Sequence, residues 1–151
     1  MALELTHVQR CIISGVVYVV CFILEIVSCL LLYKTFESEC VGGAEISTLI
    51  WWCFHLVFVP AIPDIMYAVM GVLISDPFYA SMGGCYNIVM GVVCISAAIC
   101  GFVSLTGCGN PAQSLVLISA ILELIAGIIH LVFIWFVKEN LDDGESLFGS
   151  K

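Results

Sequence analysis

The chain of 151 residues is 62% hydrophobic, only 11% of its residues are charged, and its formal net charge is −8. Soluble domains use about 25% charged residues, so this composition excludes a soluble globular protein and makes membrane lipid the expected surroundings. The four basic residues are scattered and form no patch that could hold phosphates, so we expect no nucleic-acid partner.

Four apolar segments follow one another along the chain, at 11–33, 46–75, 79–105 and 114–137. Each is long enough to cross a bilayer core, which takes about 20 apolar residues. Backbone groups in lipid must be hydrogen-bonded internally, and the period-2 alternation of a membrane barrel is missing, so each segment is predicted as a helix. The links between them are short, which predicts an all-α, four-helix transmembrane bundle.

The predicted organisation is a short N-terminal segment at 1–10, the four-helix domain at 11–137 and an acidic C-terminal tail at 138–151. Four spans put both termini on the same side of the membrane. Three of the four basic residues lie on that side and only Lys34 on the other, so the positive-inside rule predicts cytoplasmic termini for this multi-pass protein. The plasma membrane and the endomembranes are both compatible with this topology.

The second segment contains Pro60 and Pro63, directly before Asp64. As one helix of roughly 30 residues it would be about 45 Å long, which exceeds the ~30 Å hydrocarbon core. Each proline removes a backbone donor, so we predict that the second helix is kinked or broken at these residues. A kink is common in membrane helices, whereas a broken helix would line a binding site.

The third segment repeats small residues at helical spacing. Such spacing lets two helix backbones approach closely, either within the bundle or between copies of the chain. The residues predicted to pack in this way are Gly83, Asn87, Gly91, Ala97 and Gly101.

An intramembrane polar cluster is predicted from the ionisable side chains in or near the spans, Glu25, His55, Asp64, Glu123 and His130. A charge at the bilayer centre costs about 2.5–3.5 kcal/mol on insertion scales, so these side chains should face the bundle interior. The rise of about 1.5 Å per residue puts Glu25 and Glu123 at the same depth, about 21 Å, and Asp64 about 16 Å from the same side. We therefore expect three carboxyls at neighbouring levels on three helices.

Two functions fit these acids. The leading hypothesis is a structural, scaffolding or accessory-subunit role, in which protonated carboxyls hydrogen-bond across helices and the chain assembles as a homo-oligomer or within a larger membrane-protein complex. The alternative is a proton or cation channel or transporter that uses Glu25, Asp64 and Glu123, because close carboxyls in a low dielectric cannot all be ionised. Binding of a lipid or hydrophobic ligand at the second span is a third hypothesis.

Nine cysteines are present, and seven of them lie within the predicted spans or at their edges. There we expect them to act as small apolar residues. Cys40 and Cys108 differ, because they lie in two loops that share one side of the membrane. They form a candidate disulfide if that side is oxidising and stay reduced if it is not.

Patterns of catalysis and cofactor binding are missing from the sequence. It contains no Gly-x-Ser-x-Gly, no phosphate-binding loop and no His-Glu-x-x-His. The histidines are dispersed, and neither Cys-x-x-Cys nor His-x-x-x-His occurs. We therefore predict no enzymatic activity, no cofactor and no metal site.

The loops separate the chain from well-known four-span families. Tetraspanins have a large cysteine-bearing loop before the last span, whereas 106–113 is short. Claudins have a long first loop with a tryptophan and two cysteines, whereas 34–45 has one cysteine and no tryptophan. A general likeness in span count, short loops and buried acids to small tetraspan proteins of lysosomal membranes and insect barrier junctions assigns no family, since their cysteine-rich start is missing.

Overall fold

The computed structural model describes residues 6–37, 44–73, 78–106 and 112–139. The helices are α1 (His7–Glu37), α2 (Ala44–Leu73), α3 (Phe78–Val103) and α4 (Ala112–Glu139), and a 3₁₀ turn at Ser104–Thr106 extends α3. Their ends fall within about one turn of the predicted ends. The described part of the chain contains no strand, and the predicted all-α fold of four helices is confirmed.

All four helices are long and apolar enough to cross a membrane, so the chain is a small integral multi-pass membrane protein. Its outer surface is apolar, as lipid requires: in α1, Val16, Ile23 and Leu30 are each more than half exposed. On the opposite face of the same helix, Tyr18 and Glu25 are buried. In α1, the polar side chains Glu25 and Ser28 therefore point into the bundle.

The helices form a ring in which each packs against its two neighbours in the order α1, α2, α3, α4, with α4 closing against α1. Helix α1 therefore lies diagonally across from α3, and α2 lies diagonally across from α4. Side chains from all four helices can meet only at the central axis of such a ring.

Helices α3 and α4 approach each other closely at glycines. A Cβ atom on Gly127 would lie 3.1 Å from the Gly91 carbonyl oxygen and 2.8 Å from Ile95 Cγ1. Likewise, a Cβ atom on Gly101 would lie 2.8 Å from that of Ala120. The five packing residues predicted on the third segment are all buried within the bundle. For Gly91 and Gly101, the close approach is made to α4 of the same chain.

Helix α2 runs through Pro60 and Pro63 as one continuous helix. It is not divided into two separate segments, and a kink at these residues stays a prediction. The two cysteines of the candidate disulfide, Cys40 and Cys108, lie outside the described residues, as does the tail after Glu139.

Two apolar layers divide the interior of the bundle. The first lies toward the end where α1 leads into α2 and contains Leu32, Ile50, Val57 and Val116. The second lies toward the opposite end and is aromatic, with Tyr18 and Phe133 at its centre and other rings packed against them. Along α1, Glu25 falls between Tyr18 and Leu32, so the buried polar residues occupy the space between the two layers.

Candidate functional site

Four of the five predicted polar residues meet at the centre of the bundle. Glu25 comes from α1, Asp64 from α2, and Glu123 and His130 from α4; all are 0–1% exposed. Glu123 and His130 are two turns apart on one face of α4, which is why one helix supplies both. The site is therefore assembled from helices that are far apart in sequence.

His55 does not join this cluster. Its side chain is exposed on the outside of α2, and its ring centroid lies 4.8 Å from that of Trp51. His55 precedes Asp64 by about two and a half helical turns, so the two side chains point to opposite faces. It belongs to an aromatic surface with Trp51 and Phe54, which is typical of a membrane interface.

Polar contacts cross both diagonals of the helix ring at the cluster. His130 Nε2 of α4 lies 3.3 Å from Asp64 Oδ2 of α2 and 3.7 Å from Glu25 Oε1 of α1. On the other diagonal, the Cys94 thiol of α3 donates to Glu25 Oε1 at 3.5 Å. The cluster thus surrounds the central axis of the bundle.

Asn87 fixes which nitrogen of His130 faces the cluster. Its amide Nδ2 donates to the carbonyl oxygen of Gly83 at 2.6 Å and to Tyr18 Oη at 2.7 Å. A carbonyl can only accept, so Asn87 Oδ1 must face His130 Nδ1, which it meets at 2.9 Å. Nδ1 therefore holds a proton, and in the neutral ring Nε2 presents a lone pair to Asp64 and Glu25.

One oxygen of Asp64 is held in a similar way. The hydroxyl of Tyr86 donates a hydrogen bond to Asp64 Oδ1. Tyr86 stacks on Tyr67 with ring centroids 4.1 Å apart, so its hydroxyl is positioned by packing. Asp64 Oδ2 is left facing His130.

Five buried polar atoms of the cluster have no partner in hydrogen-bonding geometry: Glu25 Oε2, Asp64 Oδ2, both carboxyl oxygens of Glu123, and His130 Nε2. Buried polar groups are almost always satisfied, so an unsatisfied set of this size requires an explanation. All five atoms are acceptors when the acids are ionised and His130 is neutral. Acceptors cannot bond one another, so this place favours positive charge, either as a proton on His130 or a carboxyl or as a bound cation.

Cysteines extend the cluster beyond the predicted residues. Two groups of potential metal ligands share His130, one with Cys21 and Asp64 and the other with Glu25 and Cys94. Within each group all ligand atoms lie within 4.8 Å of one another and all three residues are buried. These groups are therefore the residues of the described chain that could hold a metal ion.

The sequence carried a signal for one of these cysteines. Cys21 lies four residues before Glu25, so both belong to one face of α1. Cys94 lies on the diagonally opposite helix, and only the rotation of α3 in the bundle brings it to Glu25. Tyr86 was missed for the same reason, and Asn87 was predicted for its small size rather than for its hydrogen bonds.

Comparison of this chain with models of protein families, with curated proteins and with solved structures finds no match to any of them.

Proposed function

We propose that this membrane protein binds a cation, the proton included, between its four helices and transfers it across the membrane. The observation that supports this proposal is the convergence of five buried polar atoms that have no hydrogen-bond partner, on three carboxyls and one imidazole. If all three acids were ionised beside a neutral imidazole, their summed charge of −3 would be costly in a low-dielectric interior. A bound cation or shared protons lower that cost.

A polar lock explains the same residues less well. In a lock, each polar group would hydrogen-bond across the helix interface, since this is how polar residues stabilise membrane bundles. Ser28 and Ser119 do so, with their hydroxyl oxygens 2.6 Å apart. Both carboxyl oxygens of Glu123, one turn away from Ser119, have no partner. The serine pair joins α1 to α4 by a hydrogen bond, whereas Glu123 makes none across that interface.

A structural or accessory-subunit role in a homo-oligomer or larger complex is the competing hypothesis. Acids that pair with a partner subunit would lie on the outside of the bundle, but these acids are 0–1% exposed. Small residues that pack against a partner would also lie outside, but Gly91 and Gly101 pack against α4. The outer surface offers apolar side chains, which lipid covers equally well.

The layers around the site favour a carrier over an open channel. On one side the core residues Leu32, Ile50 and Val57 separate the site from the end of the bundle. On the other side Tyr18 and Phe133 do so, with ring centroids 5.6 Å apart. Because the site is closed at both ends, a cation can enter or leave only when one layer opens, as alternating access requires.

The test is cation flux into liposomes that contain the purified protein. A membrane potential, negative inside, drives uptake, and dyes trapped inside report protons and divalent cations separately. We expect faster uptake of at least one cation than in protein-free liposomes, and a loss of that uptake in Asp64→Asn and in Glu123→Gln. Glu139→Gln is the matched control, because Glu139 is exposed at the end of α4. This variant should take up cations at the wild-type rate.

The same samples separate the competing hypothesis. If no cation enters faster than in empty liposomes, and the acid variants instead dissociate a complex seen in mild detergent, the structural role replaces the proposed one.

A further inference from the structure

We propose that the cation of this site is a divalent metal ion of intermediate softness, with Zn²⁺ as the type, and that Cys21, Asp64 and His130 are its ligands. This inference rests on the proposed function for the location of the cation but needs only equilibrium binding. The three ligand atoms are buried, come from three helices and lie within 4.8 Å of one another.

The spacing of the ligand atoms fits a tetrahedral ion. Two nitrogen or oxygen ligands at about 2.0–2.2 Å from a tetrahedral Zn²⁺ lie about 3.3–3.6 Å apart. His130 Nε2 and Asp64 Oδ2 lie 3.3 Å apart. Neither atom meets hydrogen-bonding geometry with the other or with any described residue. Their separation therefore fits two ligands on one ion.

The chemical types of the ligands select the metal. Mg²⁺ and Ca²⁺ take oxygen ligands, whereas imidazole and thiolate suit Zn²⁺ and its neighbours in the first transition row. A site for protons or alkali cations does not require a thiol ligand. Cys21 lies in the same group as His130 and Asp64, which favours a metal ion that binds sulfur. On binding, the Cys21 thiol loses its proton to solvent and its sulfur bonds the metal.

The surroundings of two ligands have the form of an outer ligand shell. Metal-bound histidines donate their other ring N–H to an oxygen, which orients the ring. His130 Nδ1 donates to Asn87 Oδ1, and this leaves Nε2 for the ion. Asp64 Oδ1 accepts from the Tyr86 hydroxyl, and this leaves Oδ2. In both residues the atom without a partner is the one that faces the proposed metal.

A fourth ligand position has its own candidate. Glu25 Oε1 lies 3.7 Å from His130 Nε2, so it can reach the same ion. Glu25 also belongs to the second group, with Cys94 and His130. Because the two groups share His130, an ion held by the first has a neighbouring set of ligands to move to. Cys21 belongs to the first set and Cys94 to the second, which makes the two cysteines separable by experiment.

The test uses Co²⁺ as a spectroscopic probe of the purified full-length protein in detergent. A tetrahedral Co²⁺ site absorbs visible light, and a bound thiolate adds a charge-transfer band in the near ultraviolet. We expect one Co²⁺ per chain with both features, and displacement of both by Zn²⁺. Cys21→Ser should remove the charge-transfer band and lower the affinity at least about tenfold. Cys29→Ser is the matched control, because Cys29 lies two turns along α1 in the apolar layer.

A second measurement does not depend on any variant. In the native wild-type protein, bound Zn²⁺ should lower the rate at which Cys21 is alkylated. The alkylation rate of Cys29 should be the same with and without the metal. A charge-transfer band that survives Cys21→Ser but disappears in Cys94→Ser would overturn the ligand assignment. Failure of the wild type to bind Co²⁺ or Zn²⁺ would overturn the metal site itself.

The metal site and the proposed transport fail in different ways. Proton flux that requires Asp64 in a protein without Co²⁺ binding would leave the transport and remove the metal. Co²⁺ binding that depends on Cys21 in a protein without any cation flux would leave the metal site and remove the transport.

Discussion

The two halves of the bundle interior are equally buried but differ in how their polar atoms are satisfied. In the half that contains Leu32, the Thr35 hydroxyl donates to the Leu31 carbonyl and the Ser104 hydroxyl donates to that of Cys100. From the level of Glu123 to that of His130, between this half and the aromatic layer, five buried polar atoms have no hydrogen-bond partner. The described part of the fold thus satisfies its polar groups in the apolar half and leaves them unsatisfied at one place, which is where we propose that the cation binds.

The largest expected effect comes from putting a carboxyl into the apolar half. Val57→Asp places a charge beside Ile50 and Leu32, where no cation site exists among the described residues. An uncompensated buried charge costs about 3–5 kcal/mol, so we expect a large fall in the thermal midpoint in detergent. Val57→Ala removes volume without adding charge and should cost clearly less. Equal losses of thermal midpoint in the two variants would show that the apolar half tolerates charge. That result would contradict the difference between the two regions.

A second prediction concerns the helix contact beside the polar half. Gly127→Ala puts a methyl group 3.1 Å from the Gly91 carbonyl oxygen, and backbone cannot move aside as a side chain can. We expect a loss of about 1–3 kcal/mol in stability. Since α3 and α4 would separate, the bond between His130 and Asn87 should lengthen and the metal affinity should fall as well.

The control for this change is Gly83→Ala on α3. A methyl group there would meet Tyr18 Oη at 3.8 Å, which is an ordinary contact. Alanine also favours a helix over glycine by up to about 1 kcal/mol, so stability should stay the same or rise. Equal effects of the two substitutions in thermal unfolding would contradict the role of the close approach at Gly127.

The sequence defined the helices well because a bilayer imposes a fixed length and an apolar surface on each span. It also predicts Glu25, Asp64 and Glu123 at neighbouring levels, since the rise of a helix converts residue spacing into depth. What it lacked was the rotation of each helix about its axis. That rotation decides that Asp64 faces inward and His55 outward, although both lie on α2.

The metal ligands were hidden by a different difficulty. Metal sites in soluble proteins can often be recognised in the sequence from short ligand spacings such as Cys-x-x-Cys. Here the proposed ligands Cys21, Asp64 and His130 come from three helices. In addition, a buried cysteine in an apolar helix has the same appearance in sequence whether it packs or binds. Cys29 packs in the apolar layer and Cys21 faces the polar cluster, yet both lie on one helix at helical spacing.

A third prediction tests the outer ligand shell. Asn87→Leu removes the acceptor of the His130 Nδ1 proton, so the ring can rotate or exchange the proton to Nε2. We expect the Co²⁺ affinity to fall about tenfold, at the lower end of effects from such outer residues, while the Cys21 charge-transfer band persists. Ser96→Ala is the control, since Ser96 is exposed on α3 and donates only to the Val92 carbonyl of its own helix. Unchanged affinity in Asn87→Leu would remove Asn87 from the site.

The smallest expected effect separates a functional acid from a packing acid. Both carboxyl oxygens of Glu123 are buried without partners, so Glu123→Met breaks no described hydrogen bond and replaces a poorly solvated group by an apolar one of similar size. The thermal midpoint should therefore stay level or rise, by about 1 kcal/mol in stability, while cation uptake falls. Glu139→Met, at the exposed end of α4, should change neither. If Glu123→Met instead lowers stability, the carboxyl holds the bundle together and the polar cluster is a structural lock. If stability rises as uptake falls, the protein retains a destabilising acid because its function requires one.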